Sequence, residues 1–301
     1  MQISANGVSI EVDDQGQPGG EPVLLIMGLC MQLTGWPDEM VQMLVSLGFR
    51  VIRFDNRDIG LSQGFDQLGV PNMALAGIRY TLHLPVRSPY SIADMAGDAL
   101  GVMDALGLPH AHVVGASMGG MIAQHMAAKS ASRVRSLTLM MTTSGSRRLP
   151  QPSLAVRRVL LSRPDGRDPA AVVRHLQHVL GVIGSPAFPP EPQRLQQRLQ
   201  AMVARSWRPA GTARQLAAVV ADGDRSSLLG RIAAPVRVIH GRDDPLVPAA
   251  AGRDLVDKMP GAQLDLVPGM GHDLPVQLLE RFAQGIADNA QRWRDGQPAG
   301  G

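Results

Sequence analysis

Residues 112–128 read HVVGASMGGMIAQHMAA, an apolar run that stops at Ser117 and gives way at once to a helical pattern. Glycines stand two positions to either side of the serine, at 115 and 119. A strand that turns this abruptly into a helix leaves its apical residue strained and exposed, and the flanking glycines avoid steric clashes in the turn. The helix that follows would aim its free amides and the positive end of its dipole at any negative charge forming nearby. A bland reading competes, in which Ser117 only caps an ordinary helix. A serine hydroxyl is a weak nucleophile without a general base. The choice therefore depends on what the rest of the chain brings to it.

Outward from this turn, short apolar runs alternate with helical patterns. PVLLIMG (22–28), FRVIRFD (49–55), HAHVVGA (110–116), VRSLTLMMT (134–142), APVRVIHG (234–241) and AQLDLVPG (262–269) read as strands. Their apolar positions are nearly continuous, as expected when helices cover both faces of a sheet. Helical segments such as WPDEMVQMLVSLG, SIADMAGDALGVMDALG and PVQLLERFAQGIADNAQRW separate or follow them. This predicts an α/β fold with a mostly parallel sheet. VSIEVDD, near the N terminus, is expected to add an antiparallel edge strand, and DGQPAGG (295–301) to end the chain as a frayed tail.

The alternation breaks between Ser146 and about Asp224, where only helical patterns occur. The expected organisation is a core formed by 1–145 and 225–301, with a helical cap at 146–224. Ligands bind beyond the carboxyl ends of parallel strands, so a cap projecting there is placed to act as a lid.

Composition narrows the function classes. The 301 residues are 45% hydrophobic, yet no apolar run reaches the ~18 residues that read as a membrane span. The first residues lack the basic and apolar regions of a secretory signal, and a single cysteine, Cys30, fits a reducing compartment. A cytoplasmic protein is expected. The net charge of +3 is carried by arginines scattered along helices rather than by a basic stripe with interleaved aromatics, which argues against nucleic acid. No metal-binding motif is present, and no cofactor is expected. The oligomeric state is not encoded in any pattern.

Of the eight histidines, His272 stands out. VPGMGHDLP places it directly after the last strand, between glycine and the last helix, on a loop able to present an imidazole. HGRDDPLVP, after the preceding strand, offers two carboxylates to orient it, Asp243 and Asp244. Pro245 stiffens the backbone of Asp244, while Asp243 has a plain role as a solvated partner of Arg242; the residues alone leave both open. The order serine, acid, histidine is the one expected on this type of sheet. The GLCMQLTGWP loop after the first parallel strand lets backbone approach a substrate, so by position the amides of Leu29 and Met118 are the natural oxyanion donors. Gly28, Met31, Trp36, Met121 and Phe188 are expected to border the pocket. Asp55, Arg57 and Asp58 in RFDNRDIGLS read as a network holding their own loop.

These segments resemble the α/β-hydrolases. More narrowly, LIMGLCMQLTGWPDEM, VIRFDNRDIGLS, GSPAFPP and RPAGTARQLAAV resemble bacterial serine hydrolases grouped with aclacinomycin methylesterase, over roughly Ser4 to Trp293. The resemblance implies a mostly parallel sheet flanked by helices, with a helical cap inserted after the sixth strand. It implies a nucleophile at Ser117, a base at His272 and an acid three residues after Gly241, which is Asp244. It also implies cofactor-free hydrolysis of a small-molecule carboxylic ester. The alternatives are C–C bond hydrolysis, haloperoxidase-like perhydrolysis on the same residues, and a ligand receptor that keeps the hydrolase shell. One comparison tests the acid: Asp244→Asn should lower turnover of a p-nitrophenyl ester by roughly 10⁴-fold, while Asp243→Asn leaves it near wild type.

Overall fold

The chain begins with a hairpin that the sequence reading did not resolve. In the computed structural model, which describes residues 1–166 and 168–296, Gln2–Ala5 (β1) and Val8–Gln15 (β2) pair antiparallel across Asn6-Gly7. Both turn residues have positive φ, 53° and 74°. That is the backbone of the type I′ two-residue turn, for which Asn-Gly is the favoured sequence. The outer strand is therefore β1, and VSIEVDD lies one place further in. Of the expected tail, residues 297–301 lie outside the described residues.

Six further strands follow: Glu21–Ile26 (β3), Phe49–Phe54 (β4), Ala111–Ala116 (β5), Val134–Met140 (β6), Val236–Gly241 (β7) and Gln263–Val267 (β8). The sheet order is β1-β2-β4-β3-β5-β6-β7-β8. β2 joins β4 antiparallel, and every pairing from β4 to β8 is parallel. Every residue of β5 is buried, which explains why its sequence runs apolar without alternation.

The helices are Asp38–Ser46 (α1), Met73–Thr81 (α2), Ile92–Ala105 (α3), Met118–Lys129 (α4), Leu154–Leu160 (α5) and Pro169–Ile183 (α6). They continue with Pro192–Arg205 (α7), Pro209–Asp222 (α8), Ser226–Leu229 (α9), Ala250–Lys258 (α10) and Leu279–Asp295 (α11). Successive strand residues point to opposite faces, and the core divides accordingly. Val23, Leu25, Val114 and Ile239 face Met40, Leu44, Phe282 and Ile286 of α1 and α11. Leu24, Ile26, Val113 and Val238 face Val102, Ile122, Met126 and Leu255 of α3, α4 and α10. Among the described residues no helix is long and apolar enough to cross a membrane.

The helical insertion leaves the sheet after β6 and returns before β7. Val172 and Val173 of α6 pack with Leu199, Met202 and Val203 of α7 in a cluster of their own, whereas Ala218 of α8 belongs to the main core. The two ends of the insertion touch: a Cβ at Gly145 would lie 2.0 Å from the Gly223 carbonyl oxygen. Arg225 ties them, donating from its amide to Ser144 O (2.8 Å), from Nη2 to Thr143 O (2.7 Å) and from Nε to Gln124 Oε1 (3.0 Å).

α8 is also fastened from within. Arg214 donates from Nε and Nη2 to the fully buried Asp58 at 2.8 and 2.7 Å. Phe65 N–H and Tyr90 Oη–H complete the shell around that carboxylate, each at 2.8 Å. Burial alone would raise the Asp58 pKa, but the hydrogen bonds and the Arg214 charge hold it below the usual carboxylate value. Removing one partner of a buried pair strands the other, so Arg214→Met should destabilise by about 3–5 kcal/mol in urea unfolding at neutral pH. Because the folded-state pKa is depressed, this stabilisation is present above the ordinary carboxylate pKa and lost as pH falls through the lower folded value. The gap between wild type and variant should therefore narrow on acidification.

Candidate active site

At the β5–α4 turn Ser117 has φ 53° and ψ −118°, a sparsely populated conformation for a residue with a Cβ and one that stores about 1–3 kcal/mol. The turn is held by Ser117 N–H donating to Met140 O (2.9 Å) and by Thr142 Oγ1 donating to Ser117 O (2.7 Å). The side chain makes no capping hydrogen bond to the helix. The bland reading of Ser117 as a cap therefore fails, because its hydroxyl is engaged elsewhere.

Ser117 Oγ lies 3.0 Å from His272 Nε2, and His272 Nδ1 lies 2.7 Å from Asp244 Oδ2. With Nδ1–H donating to the carboxylate, Nε2 is the acceptor for the serine hydroxyl. The other Asp244 oxygen accepts the amides of Leu246 (2.9 Å) and Val247 (2.8 Å), which fixes the aim of the carboxylate. Asp243 turns the other way, to the Gly269 amide at 2.7 Å; its partner is that amide rather than Arg242. Both side chains of the His272–Asp244 pair are nearly or wholly shielded from solvent, so their electrostatic coupling is only weakly screened.

The His272 loop is anchored to the end of α6. Its amide donates to Ile183 O (2.7 Å), and the preceding Gly271 amide donates to Ser185 Oγ (2.9 Å). Ser185 in turn donates to Asp273.

On the opposite side of Ser117 runs the loop after β3. A Cβ at Gly28 would come within 3.1 Å of Ser117 Cβ, so the two backbones are in close approach. Among the described residues neither Leu29 N–H nor Met118 N–H has an acceptor within the protein. Cys30, at φ 68°, turns the chain, and four supports fix it. Asn56 Nδ2 donates to Met27 O (2.9 Å), and Gln215 Oε1 accepts from Cys30 N–H (3.2 Å). Asp55 Oδ1 accepts from Leu33 N–H (2.7 Å), and Gln32 Nε2 donates to Met202 O (2.8 Å) and Ser206 O (2.7 Å) of α7 and its end. Arg205 Nη1 bridges Gln32 Oε1 and Asp55 Oδ2 at 2.6 and 2.7 Å. The DNRD segment thus holds more than its own loop: its first two residues support the loop beside Ser117. Asn56, Gln32, Gln215 and Ser185 escaped sequence reading, since uncharged polar side chains with tertiary partners leave no local pattern.

The expected pocket residues are spread differently. Gly28 abuts Ser117, and Met31 packs against both the α1/α11 core and the α6–α7 cluster. Met121 is buried in the α3/α4 core, and Trp36 is fully buried in the α1/α11 core. Phe188 is half-buried beside Gly269, in the loop that leads to His272. Four other histidines have partners outside the Ser117–His272 contact, although His240 Nε2 also lies 3.8 Å from Asp244 Oδ2. His112 meets Ser136 (2.8 Å), His125 meets Asp222 (2.9 Å) and His240 meets Val247 O (2.8 Å). His83 contacts Arg147.

Comparison with known proteins identifies the fold family. The sequence profile described as "alpha/beta hydrolase fold" matches residues 21–277. The chain is 30% identical over 308 residues to a rhodomycin D methylesterase of Streptomyces sp. (strain C5), covering 94% of this chain and 95% of that protein. It is also 30% identical over 287 residues to a 2-hydroxy-6-oxononadienedioate/2-hydroxy-6-oxononatrienedioate hydrolase of Paraburkholderia xenovorans (strain LB400), covering 93% and 90%. Among solved structures, an enol-lactonase from Burkholderia xenovorans LB400 superposes with a TM-score of 0.75 at 21% identity, covering 97% of this chain and all of the other. The chain belongs to the alpha/beta hydrolase fold family.

Proposed function

We propose that the protein hydrolyses a carboxylic ester through an acyl-serine intermediate, without a cofactor. The observation that carries the reading is the unbroken hydrogen-bonded chain from the strained Ser117 hydroxyl through His272 to Asp244. His272 Nε2 takes the hydroxyl proton as Ser117 Oγ attacks the ester carbonyl, and Asp244 stabilises the imidazolium. The Leu29 and Met118 amides receive the developing oxyanion. The imidazolium then protonates the leaving alcohol, and water, activated by the same imidazole, releases the acid.

A preformed donor pair stabilises the tetrahedral intermediate because it needs no reorganisation when charge develops. Relatives named rhodomycin D methylesterases support a methyl ester as the alcohol part. Relatives named as 2-hydroxy-6-oxononadienedioate hydrolases favour a second reading, C–C bond hydrolysis by the same three side chains. The helical segment 146–224 acts as the lid that shapes the acyl pocket. The single cysteine fits work in a reducing compartment such as the cytoplasm.

An acyl-length series of p-nitrophenyl esters, run beside aromatic methyl esters, tests the reading: continuous turnover supports it, a single stoichiometric burst supports a receptor, and no release at all excludes both. Ser117→Ala should abolish turnover while leaving thermal unfolding unchanged; near-wild-type activity would remove Ser117 from the mechanism. Gln215→Leu should loosen the Leu29 loop and lower kcat by up to about 10²-fold with little change in KM. A matching rise in KM with unchanged kcat would instead assign Gln215 to substrate binding.

A further inference from the structure

Two surface segments break the pattern of the rest of the molecule. Residues 67–93 contain no acidic side chain, and neither do residues 146–164. The first carries Arg79 and Arg87; the second carries Arg147, Arg148, Arg157, Arg158 and Arg163. Among the described residues none of these arginines makes an ion pair. Those with hydrogen-bond partners use uncharged ones, such as Pro85 O for Arg79 and Pro152 O for Arg157. Asp66, the acid just before the first segment, is taken by Arg214.

The same two segments expose their apolar side chains. α2 buries only Ala76 and α5 only Val156. Val70 is 66% exposed and Leu154 70%, with Leu75, Ile78, Leu82 and Leu161 similarly bare. Arg147 brings the segments together, donating to Tyr80 O (3.2 Å) and lying over the Tyr80 ring at 4.6 Å. Between α2 and the irregular stretch 86–89 is a cavity of about 580 Å³, walled mainly by apolar side chains with Arg79 and Arg87. The Ser88 hydroxyl at its edge is buried without a hydrogen-bond partner among the described residues. Both segments follow the carboxyl ends of parallel strands, β4 and β6, as Ser117 follows β5. They therefore project from the same end of the sheet as the candidate active site.

We infer that this face docks on the surface of an anionic lipid bilayer. Unpaired guanidinium groups around protruding leucines match a surface that is negative at its headgroups and apolar just beneath. A lipid leaflet accepts protruding side chains without a complementary pocket. A second copy of the chain fits poorly, because a two-fold contact would set these arginines against themselves. Docking here would turn the mouth of the site toward esters dissolved in or held at the membrane. The inference is independent of the ester-hydrolase reading, since binding can be measured without turnover.

The test is co-sedimentation of the full chain with phosphatidylcholine vesicles, with and without phosphatidylglycerol, at low and high salt. The protein should pellet with the anionic vesicles at low salt, be released by high salt, and ignore the neutral ones. Arg79→Glu combined with Arg87→Glu, and separately Leu154→Asp combined with Leu161→Asp, should each lower the partition coefficient by about tenfold or more. Hydrolysis of a soluble p-nitrophenyl ester by the Arg79→Glu, Arg87→Glu variant, whose substitutions lie outside the 146–224 lid, should remain at the wild-type rate, so a failure of lipid binding is separable from a failure of the proposed chemistry. No binding to anionic vesicles, equal binding to neutral ones, or undiminished binding after charge reversal would overturn the inference. So would sedimentation equilibrium showing a wild-type dimer that these substitutions dissociate, which would assign the face to a second copy instead.

Discussion

α4 runs so close to the end of β3 that a methyl group at residue 119 would sit 2.0 Å from the Ile26 carbonyl oxygen. This steric limit sets the arrangement around it. It brings the first turn of α4 against the loop that leaves β3, so that Gly28 touches Ser117. Had the helix stood off by the width of one side chain, Ser117 and the β3 loop would no longer be in contact. The glycine pattern around Ser117 is thus a statement about the distance between two elements as much as about the conformation of one turn.

The second organising feature is where the site's loops are fastened. The His272 loop is held by the end of α6, through Ile183 O and Ser185. The Leu29 loop is held by α7 and α8, through Met202 O, Ser206 O and Gln215. The helical insertion therefore supports both loops through its hydrogen bonds. A rigid-body swing of the insertion would strip hydrogen bonds from both loops at once, so any opening motion is confined to parts of it that lack such ties, α5 among them. An exchange of residues 146–224 between relatives would change the hydrogen-bonded supports of both loops together.

Much of this was legible in the sequence. The strand–turn–helix around Ser117, the run of parallel strands and the all-helical interval are written in local periodicity, which backbone geometry reads directly. The loops bearing Asp244 and His272 were legible as turn chemistry at strand ends. The choice between Asp243 and Asp244 was not legible in the residues themselves and came only with the family resemblance, because the two neighbours diverge toward partners distant in sequence, Gly269 for Asp243 and His272 for Asp244. Four supports of the site, Asn56, Gln32, Gln215 and Ser185, were invisible for the same reason. Trp36 shows the opposite: proximity in sequence to the Leu29 loop suggested the pocket rim, but the chain turns it fully into the core. The N-terminal hairpin was in principle readable from Asn6-Gly7, whose paired positive φ angles are a local signature.

The contact between Gly145 and Gly223 has a consequence for how such a chain diverges. Entry and exit of the insertion are neighbours in space, so β6 and β7 keep their register whatever lies between them. The entropic cost of closing that excursion rises only slowly with its length. The segment can therefore lengthen, shorten or change composition while the eight strands keep their order, and natural variation in this lineage should concentrate there, bounded by whichever side chains continue to brace the Leu29 and His272 loops.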